Sequence, residues 1–309
     1  MESRSAELTP ADVSVVVASV EASRSIKDCL DAVSAAVRGR RAEVFVVDAS
    51  RDGSADIAEE MLGGARVMRC ASGTLTPDLW AEGIARSTGR IVALTTGHFV
   101  VDPTWVDGLA SALDGGEVGA AGRIDLADET SITDWAVFYL RYSEFLNEPE
   151  RVRRGVPGIP ADNAAYEGDA IRRFVRTHND GFWEVEFHRQ LHAAGGSLAI
   201  VPRATARYTR SFPFLSIATH RFHHGRHAGA WRVAHDARSA ARIVAAAPVV
   251  PLALALRTWR RVRSASNHRS RFLRALPAFL VLASMWAVGE AVGAMAGGPE
   301  SRRPAPLPA

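Results

Sequence analysis

Over roughly the first 115 residues, short β-branched runs alternate with stretches of helical spacing, and this alternation constrains the fold most. Val13–Ser19 (VSVVVAS) is almost entirely apolar, the pattern of a strand covered on both faces in a parallel sheet. Residues 25–37 set Ile26, Leu30, Val33 and Val37 on one side of a helix. A second buried strand follows at 43–48 (EVFVVD), then a turn at 49–54 with Asp-Gly at its centre. A short helix over 55–62 stops at Gly63 and Gly64. The cycle repeats with a strand at 66–70, a helix at 77–87 with Leu79, Trp80 and Ile84 inward, and a fourth strand at 90–95 (RIVALT). Asp102-Pro103 opens a helix over 104–113. Such an order predicts parallel strands joined by right-handed crossovers. From 119 to 208 the pattern is less regular: a helix about 134–146, a Gly/Pro loop at 154–161, a helix at 184–194 and a strand at 197–201.

A length of 309 residues suits one large α/β domain with an appendage. Net charge is +3, and Lys27 is the only lysine, so the positive charge is almost all arginine. Arginine grips phosphate as a planar fork, so anionic lipid, phosphorylated small molecules and nucleic acid all fit the charge alone. Cys29 and Cys70 sit in apolar surroundings and read as buried free thiols of a reducing compartment. The opening MESRSAELTPADVS has no apolar run of secretory-signal type.

Ligands of open α/β sheets bind beyond the carboxyl ends of the strands. Asp48 ends the second strand, Asp52 lies in the turn after it, and 95–98 follow the fourth, so all three crowd one predicted crevice. Asp48 is placed to accept hydrogen bonds from a base or ribose. Alternatively, Asp48 and Asp52 only shape the turn by accepting bonds from nearby backbone N–H groups.

The order VSVVVAS, VVDASRDGSADIAEE, GIARSTGRIVALT, VDPTW resembles the nucleotide-binding half of the family 2 glycosyltransferases. Asp48 and Asp52-Gly53-Ser54 match that family's strand-end Asp and its Asp-Gly-Ser/Thr turn. GIPADNAAY (158–166) is similar to its acceptor-side segment, and GFWEVEFHRQLHAAGGSLAIVPRATARY to its catalytic block; together the likeness spans about 12–232. It implies a GT-A-type, Rossmann-like mixed sheet flanked by helices, and inverting transfer of a sugar from a nucleotide diphosphate donor. Glu184 matches the general base, a carboxylate ionised at neutral pH and tunable upward by burial, with Glu186 two residues on. First-turn carboxylates favoured by the helix dipole are the bland reading of both. Ser19, Glu21, Asp48, Asp52, Thr96 and Arg226 fall on the donor side, and Asp162, Asn163 and Trp183 on the acceptor side.

The departures matter too. Thr95-Thr96-Gly97-His98 stands where the family carries an Asp-x-Asp that holds a divalent cation, Mn²⁺ or Mg²⁺. Three alternatives stay open: His98 ligates Mn²⁺, the diphosphate is neutralised by Arg or backbone N–H groups without metal, or the site is inactive. Ala18 and Glu21 replace the usual Pro and Asn. The run HRFHHGRH (220–227) reads as a metal group, as a phosphate-binding segment with Arg226, or as a solvated basic surface. A nucleotidyltransferase would carry glycines directly after the first strand, and ASVEASR (18–24) has none.

Residues 243–256 are apolar but too short for a comfortable span, broken by Pro248 and Pro251 and flanked by arginines, as in an interfacial or re-entrant piece. Residues 275–298 are longer and fit either a single transmembrane helix, despite Pro277 and Glu290, or one arm of a helical hairpin. The arginines of 257–274 suit anionic headgroups. With no interleaved stacking aromatics, nucleic acid is not expected as a partner. The expected layout is a flexible start (1–11), a donor half (12–118), an acceptor half (119–232), membrane-associated helices (233–298) and a disordered tail (299–309). The protein is expected to be membrane-associated, its catalytic domain cytoplasmic, acting on a membrane-proximal lipid or glycan acceptor; the rival is an inactive, nucleotide- or partner-binding relative.

Overall fold

Every position of β1 (Val13–Ser19) is buried, which explains why its sequence runs apolar without alternation. It lies parallel to β2 (Ala42–Asp48) on one side and β4 (Ile91–Thr96) on the other, in registers that pair Ser19 with Asp48 and Ala18 with Thr96. β3 (Val67–Arg69) extends the parallel part beyond β2. On the far side of β4 the sheet turns antiparallel with β8 (Asn163–Glu167), whose first residue faces Thr95. β6 (Gly119–Leu126), β9 (Leu198–Tyr208) and β5 (Phe99–Val101) follow in that order, and β7 (Arg153–Arg154) pairs with β9. This is the mixed α/β sheet flanked by helices that the resemblance implied.

The computed structural model describes residues 11–126, 131–146, 151–178, 181–209, 213–235, 239–263 and 266–296. The expected flexible start and disordered tail therefore lie outside the described residues, apart from Ala11.

Helices α1 (Ile26–Ala36), α2 (Ser54–Leu62), α3 (Thr76–Arg86) and α4 (Trp105–Asp114) carry the chain back between strands, within a residue or two of the expected bounds. Gly63, at φ 81°, takes the left-handed turn that ends α2. Gly83 of α3 sits so close to Val16 and Val47 that a Cβ there would overlap the Val16 side chain, so this glycine lets α3 lie on the sheet. α5 (Ile132–Tyr142) starts at a capping box between Ser131 and Asp134. α6 (Gly168–Thr177) and α7 (Glu184–Ala193) flank the antiparallel part.

The remaining helices are α8 (Phe214–His235), α9 (Ala240–Ala246), α10 (Val250–Val262) and α11 (Ser266–Ala296). The chain divides into two compact units: Met1–Arg123 with Pro149–Arg207, and Ile124–Glu148 with Tyr208–Ala309. This division differs from the layout expected from sequence, because α5 and α8 group with the C-terminal helices.

Inside the second unit, Tyr139 of α5 donates its hydroxyl to the His268 carbonyl at 3.1 Å and stacks edge-on against Phe272 of α11. Arg261 of α10 reaches Glu144 at 2.9 Å and Ser143 at 3.1 Å. α8 and α11 run parallel and touch backbone to backbone. Gly225 and Gly229 of α8 face the 286–294 stretch of α11, while Gly289 and Gly293 of α11 face Phe222 and Arg226. Small residues four apart on both helices allow that approach. Glu290 is buried at this contact and is paired with Arg232 of α8. The apolar 243–256 run becomes α9 and the start of α10, bent by 63° at the break, and Pro251 sits in the first turn of α10. α11 passes Pro277 without ending and is long and apolar enough to cross a membrane, with mean hydropathy 1.7.

Candidate functional site

The parallel strands β1, β2 and β4 end side by side, and the two turns leaving β1 and β2 are bonded together. Glu21 takes a left-handed φ of 49°, and its N–H donates to Ser50 Oγ at 2.8 Å. The Arg51 N–H returns a bond to Glu21 Oε1 at 3.1 Å, and the Ala22 N–H donates to Ser54 Oγ at 2.9 Å. Asp48, only 3% exposed, accepts from the Ser50 N–H at 2.9 Å and the Ser50 hydroxyl at 2.7 Å. Asp52 accepts from the Ser23 N–H at 2.9 Å, the Ser54 N–H at 3.1 Å and the Ser54 hydroxyl. Partial burial opposes its charge, but bonds from Ser54 and Ser23 outweigh that and hold the Asp52 carboxyl below its usual range. Both acids thus make the turn-shaping bonds that formed one of the two readings.

At the end of β4, Thr96 is half-buried and His98 nearly buried. His98 Nε2 lies 2.9 Å from the Val20 carbonyl, which can only accept, so this nitrogen carries the proton. Nδ1 faces the Ser25 hydroxyl at 3.2 Å. The ring clamps the β1–α1 turn to the end of β4. A metal at either ring nitrogen would displace one of these bonds. Two hydroxyls on one sheet face, Ser19 Oγ and Thr95 Oγ1, are buried with no partner among the described residues.

The start of α7 comes to the same sheet edge through α3. Trp80 of α3 donates its indole N–H to the Thr95 carbonyl at 3.0 Å, which places the front of α3 beside the end of β4. The Phe182 N–H donates to the Pro77 carbonyl at 2.8 Å, and Gly181, at φ 92°, lies against Asp78. The Cys70 thiol is pushed up by burial and by the nearby Glu82, Asp48 and Asp78 carboxylates, so Asp48 and the front of α3 share one neighbourhood. Glu184 is the first residue of α7, half-buried behind the exposed Trp183. Tyr166 of β8 is fully buried below it; burial, then the Glu184 and Asp162 carboxylates, push its hydroxyl well up.

Two of the expected site residues are engaged by other partners. Asn163 is fully buried: its Oδ1 accepts from the Trp105 indole at 2.5 Å, and its Nδ2 donates to the Arg123 carbonyl at 2.9 Å and the Ala204 carbonyl at 3.2 Å. It holds three strands and α4 together, and every polar group of its amide is engaged within the protein. Glu186 is held by Arg189 at 2.6 Å and 2.8 Å and by Gln190 at 2.8 Å, and these bonds take its carboxyl down to about 2. A group so weakly basic is ill matched to proton removal near neutrality. Arg226 belongs to the second unit, on α8, with its backbone against Gly289 and Gly293.

The profile of Glycosyl transferase family 2 matches residues 14–174, more than half of the chain and the whole run from β1 through most of α6. The chain belongs to glycosyl transferase family 2. No curated protein matches it. Among solved structures, TarS (residues 1–349) of S. aureus in complex with UDP-GlcNAc matches with a TM-score of 0.46 at 10% identity, covering 65% of this chain and 59% of that one. The same TarS fragment in complex with UDP gives 0.46 at 11% identity, covering 65% and 60%. The chain thus aligns with about three fifths of the solved relatives' length.

The divalent cation associated with family 2 does not fit the residues present. The end of β4 offers Thr96, Gly97 and a doubly engaged His98, and no group of three His, Cys, Asp or Glu side chains among the described residues is placed to hold a metal. Two residues that sequence reasoning missed stand under Glu184. The Tyr166 hydroxyl is hydrogen-bonded to His188 Nε2 at 3.0 Å, and His188 lies one turn after Glu184 on α7. That i, i+4 spacing was the available signal. A groove of about 550 Å³, lined by Thr104, Gly108, Arg154, Val201 and Arg203 among others, contains none of the predicted site residues.

Proposed function

We propose that this chain moves a sugar from a nucleotide diphosphate donor to a hydroxyl of a membrane-proximal lipid or glycan, with inversion, and that Glu184 is the general base. The observation supporting this reading is that the segment leading into Glu184 is bonded through Phe182 to Pro77 at the front of α3, which Trp80 ties to the end of β4, in a chain of family 2. In the step, the acceptor oxygen forms its bond to the anomeric carbon as its proton passes to Glu184. The bond from that carbon to the donor phosphate breaks, and the nucleoside diphosphate leaves with the electron pair. Ser19, Glu21, Asp48, Asp52 and Thr96 line the donor side, and Asp162 and Trp183 stand on the acceptor side. Polar backbone and arginine groups balance the leaving charge in place of a cation. We place the protein at a membrane, its first unit in the cytoplasm.

Support for the rival, an inactive nucleotide-binding relative, comes from Thr95-Thr96-Gly97-His98 in place of the usual carboxylates. Purified full-length protein, assayed for nucleoside diphosphate release from a panel of nucleotide sugars, separates the two. Glu184→Gln is expected to lower turnover by about 10²–10⁴-fold while calorimetry shows donor binding retained. Equal turnover in both proteins removes Glu184 as base; binding without turnover in wild type favours the rival.

A further inference from the structure

α11 carries an exposed apolar stripe along its length: Leu273, Val281, Val288 and Met295 are all exposed, and Val288 is 52% exposed. From Leu273 to Met295 this stripe runs about 33 Å at 1.5 Å per residue. α10 has a second one, with Val249, Leu252 and Leu256 exposed opposite the packed Pro251, Thr258 and Val262, and Leu252 at 64%. Arg260 and Arg263 of α10 and Arg269 and Arg274 of α11 are exposed near these stripes. Soluble monomers rarely leave such surface bare.

A lone crossing helix is the obvious reading of α11, and the contact with α8 argues against it. The glycine pairs fix the level at which the two parallel helices meet: Phe222 to Gly229 of α8 lies beside Trp286 to Ala294 of α11. On that stretch of α8, His223, His224 and Arg226 are exposed. If α11 crossed a bilayer, α8 would carry these side chains into the hydrocarbon beside it. A charged arginine inside the hydrocarbon is strongly disfavoured. Glu290 is also accounted for inside the protein, paired with Arg232, whose guanidinium lies over the Trp286 ring at 5.4 Å. The helix therefore has a polar companion on one side and a bare apolar stripe on another, the division of an interfacial helix.

We infer that the second unit lies in the plane of an anionic membrane, with the stripes of α10 and α11 set into the headgroup boundary and α11 not crossing. The occupant is lipid, because arginines border both stripes and anionic headgroups attract them. The inference does not rest on the glycosyltransferase reading.

The test is depth measurement on the full-length chain bound to vesicles of phosphatidylglycerol and phosphatidylcholine. Spin labels are placed on single cysteines at Leu252, Leu273, Val281, Val288 and Met295, in a Cys29→Ser, Cys70→Ser background. All five positions face outward, so labelling leaves packing intact. Collision with oxygen and with a nickel chelate then reports immersion. In-plane docking predicts similar, shallow depth for the four α11 labels, and flotation that weakens several-fold in Arg260→Glu/Arg263→Glu or at high salt. A depth profile that peaks between Val281 and Val288 and falls at both ends would show a span and overturn the proposal. Absence of immersion at every label overturns it as well, as does spin–spin broadening without vesicles, which would mark a second copy as the occupant.

Discussion

Burial of the His188 imidazole, with a smaller contribution from His192, takes its pKa down to about 4, so in the native protein it is neutral and hydrogen-bonded to the Tyr166 hydroxyl. A histidine whose folded pKa lies below its ordinary value near 6.5 binds its proton more readily when unfolded. Its contribution to stability is complete above about pH 6.5 and lost as pH falls toward 4, up to ~3 kcal/mol in all. Urea unfolding at pH 7, 5.5 and 4.5 should show this loss in wild type and a flatter dependence in His188→Gln. The neighbouring carboxylates divide differently: Glu186 is fixed in an exposed ion pair with Arg189, and Glu184 opens α7, half-buried near Tyr166. Glu186→Gln is expected to change nucleoside diphosphate release only a few-fold. A loss as large as that expected for Glu184→Gln would return Glu186 to the reaction. Asn163 marks a limit of motif reading: it matches the family's acceptor segment, yet its amide is engaged by Trp105, Arg123 and Ala204. Sequence spacing carries no information about which partners a folded strand brings to such a residue.

Helix α8 meets α11 through four glycines, and at each a Cβ would overlap backbone of the other helix. Gly289→Leu is therefore expected to separate the pair, costing several kcal/mol, with Arg232 and Glu290 losing their partners. Limited proteolysis should then cut within α8 or α11 at protease levels that leave wild type intact; unchanged resistance would contradict this packing. The parallel strands were legible because β1, β2 and β4 are covered on both faces and so carry continuous apolar runs. β8 was not, since NAAYE is alanine-rich and poor in strand formers, and its burial comes from neighbouring strands. β9 runs well past the expected 197–201, and the strand continues through Pro202 to Tyr208. The histidine-rich run of α8 suggested a ligand or surface, and Gly225 within it and Gly229 just after it decide its packing.

At the scale of the whole molecule, the chain joins a family 2 sheet to a helical unit with bare apolar stripes. The central claim is that donor binds where β1, β2 and β4 end, beside the start of α7. Hydrogen exchange on the full-length protein, with and without a saturating nucleotide sugar, tests it most directly. Slower exchange is expected in the turns around Glu21 and Asp52, at Thr96–His98 and at Gly181–Glu184. Protection confined to α4 and β9 around the Arg154 groove, with those four segments unchanged, would contradict it.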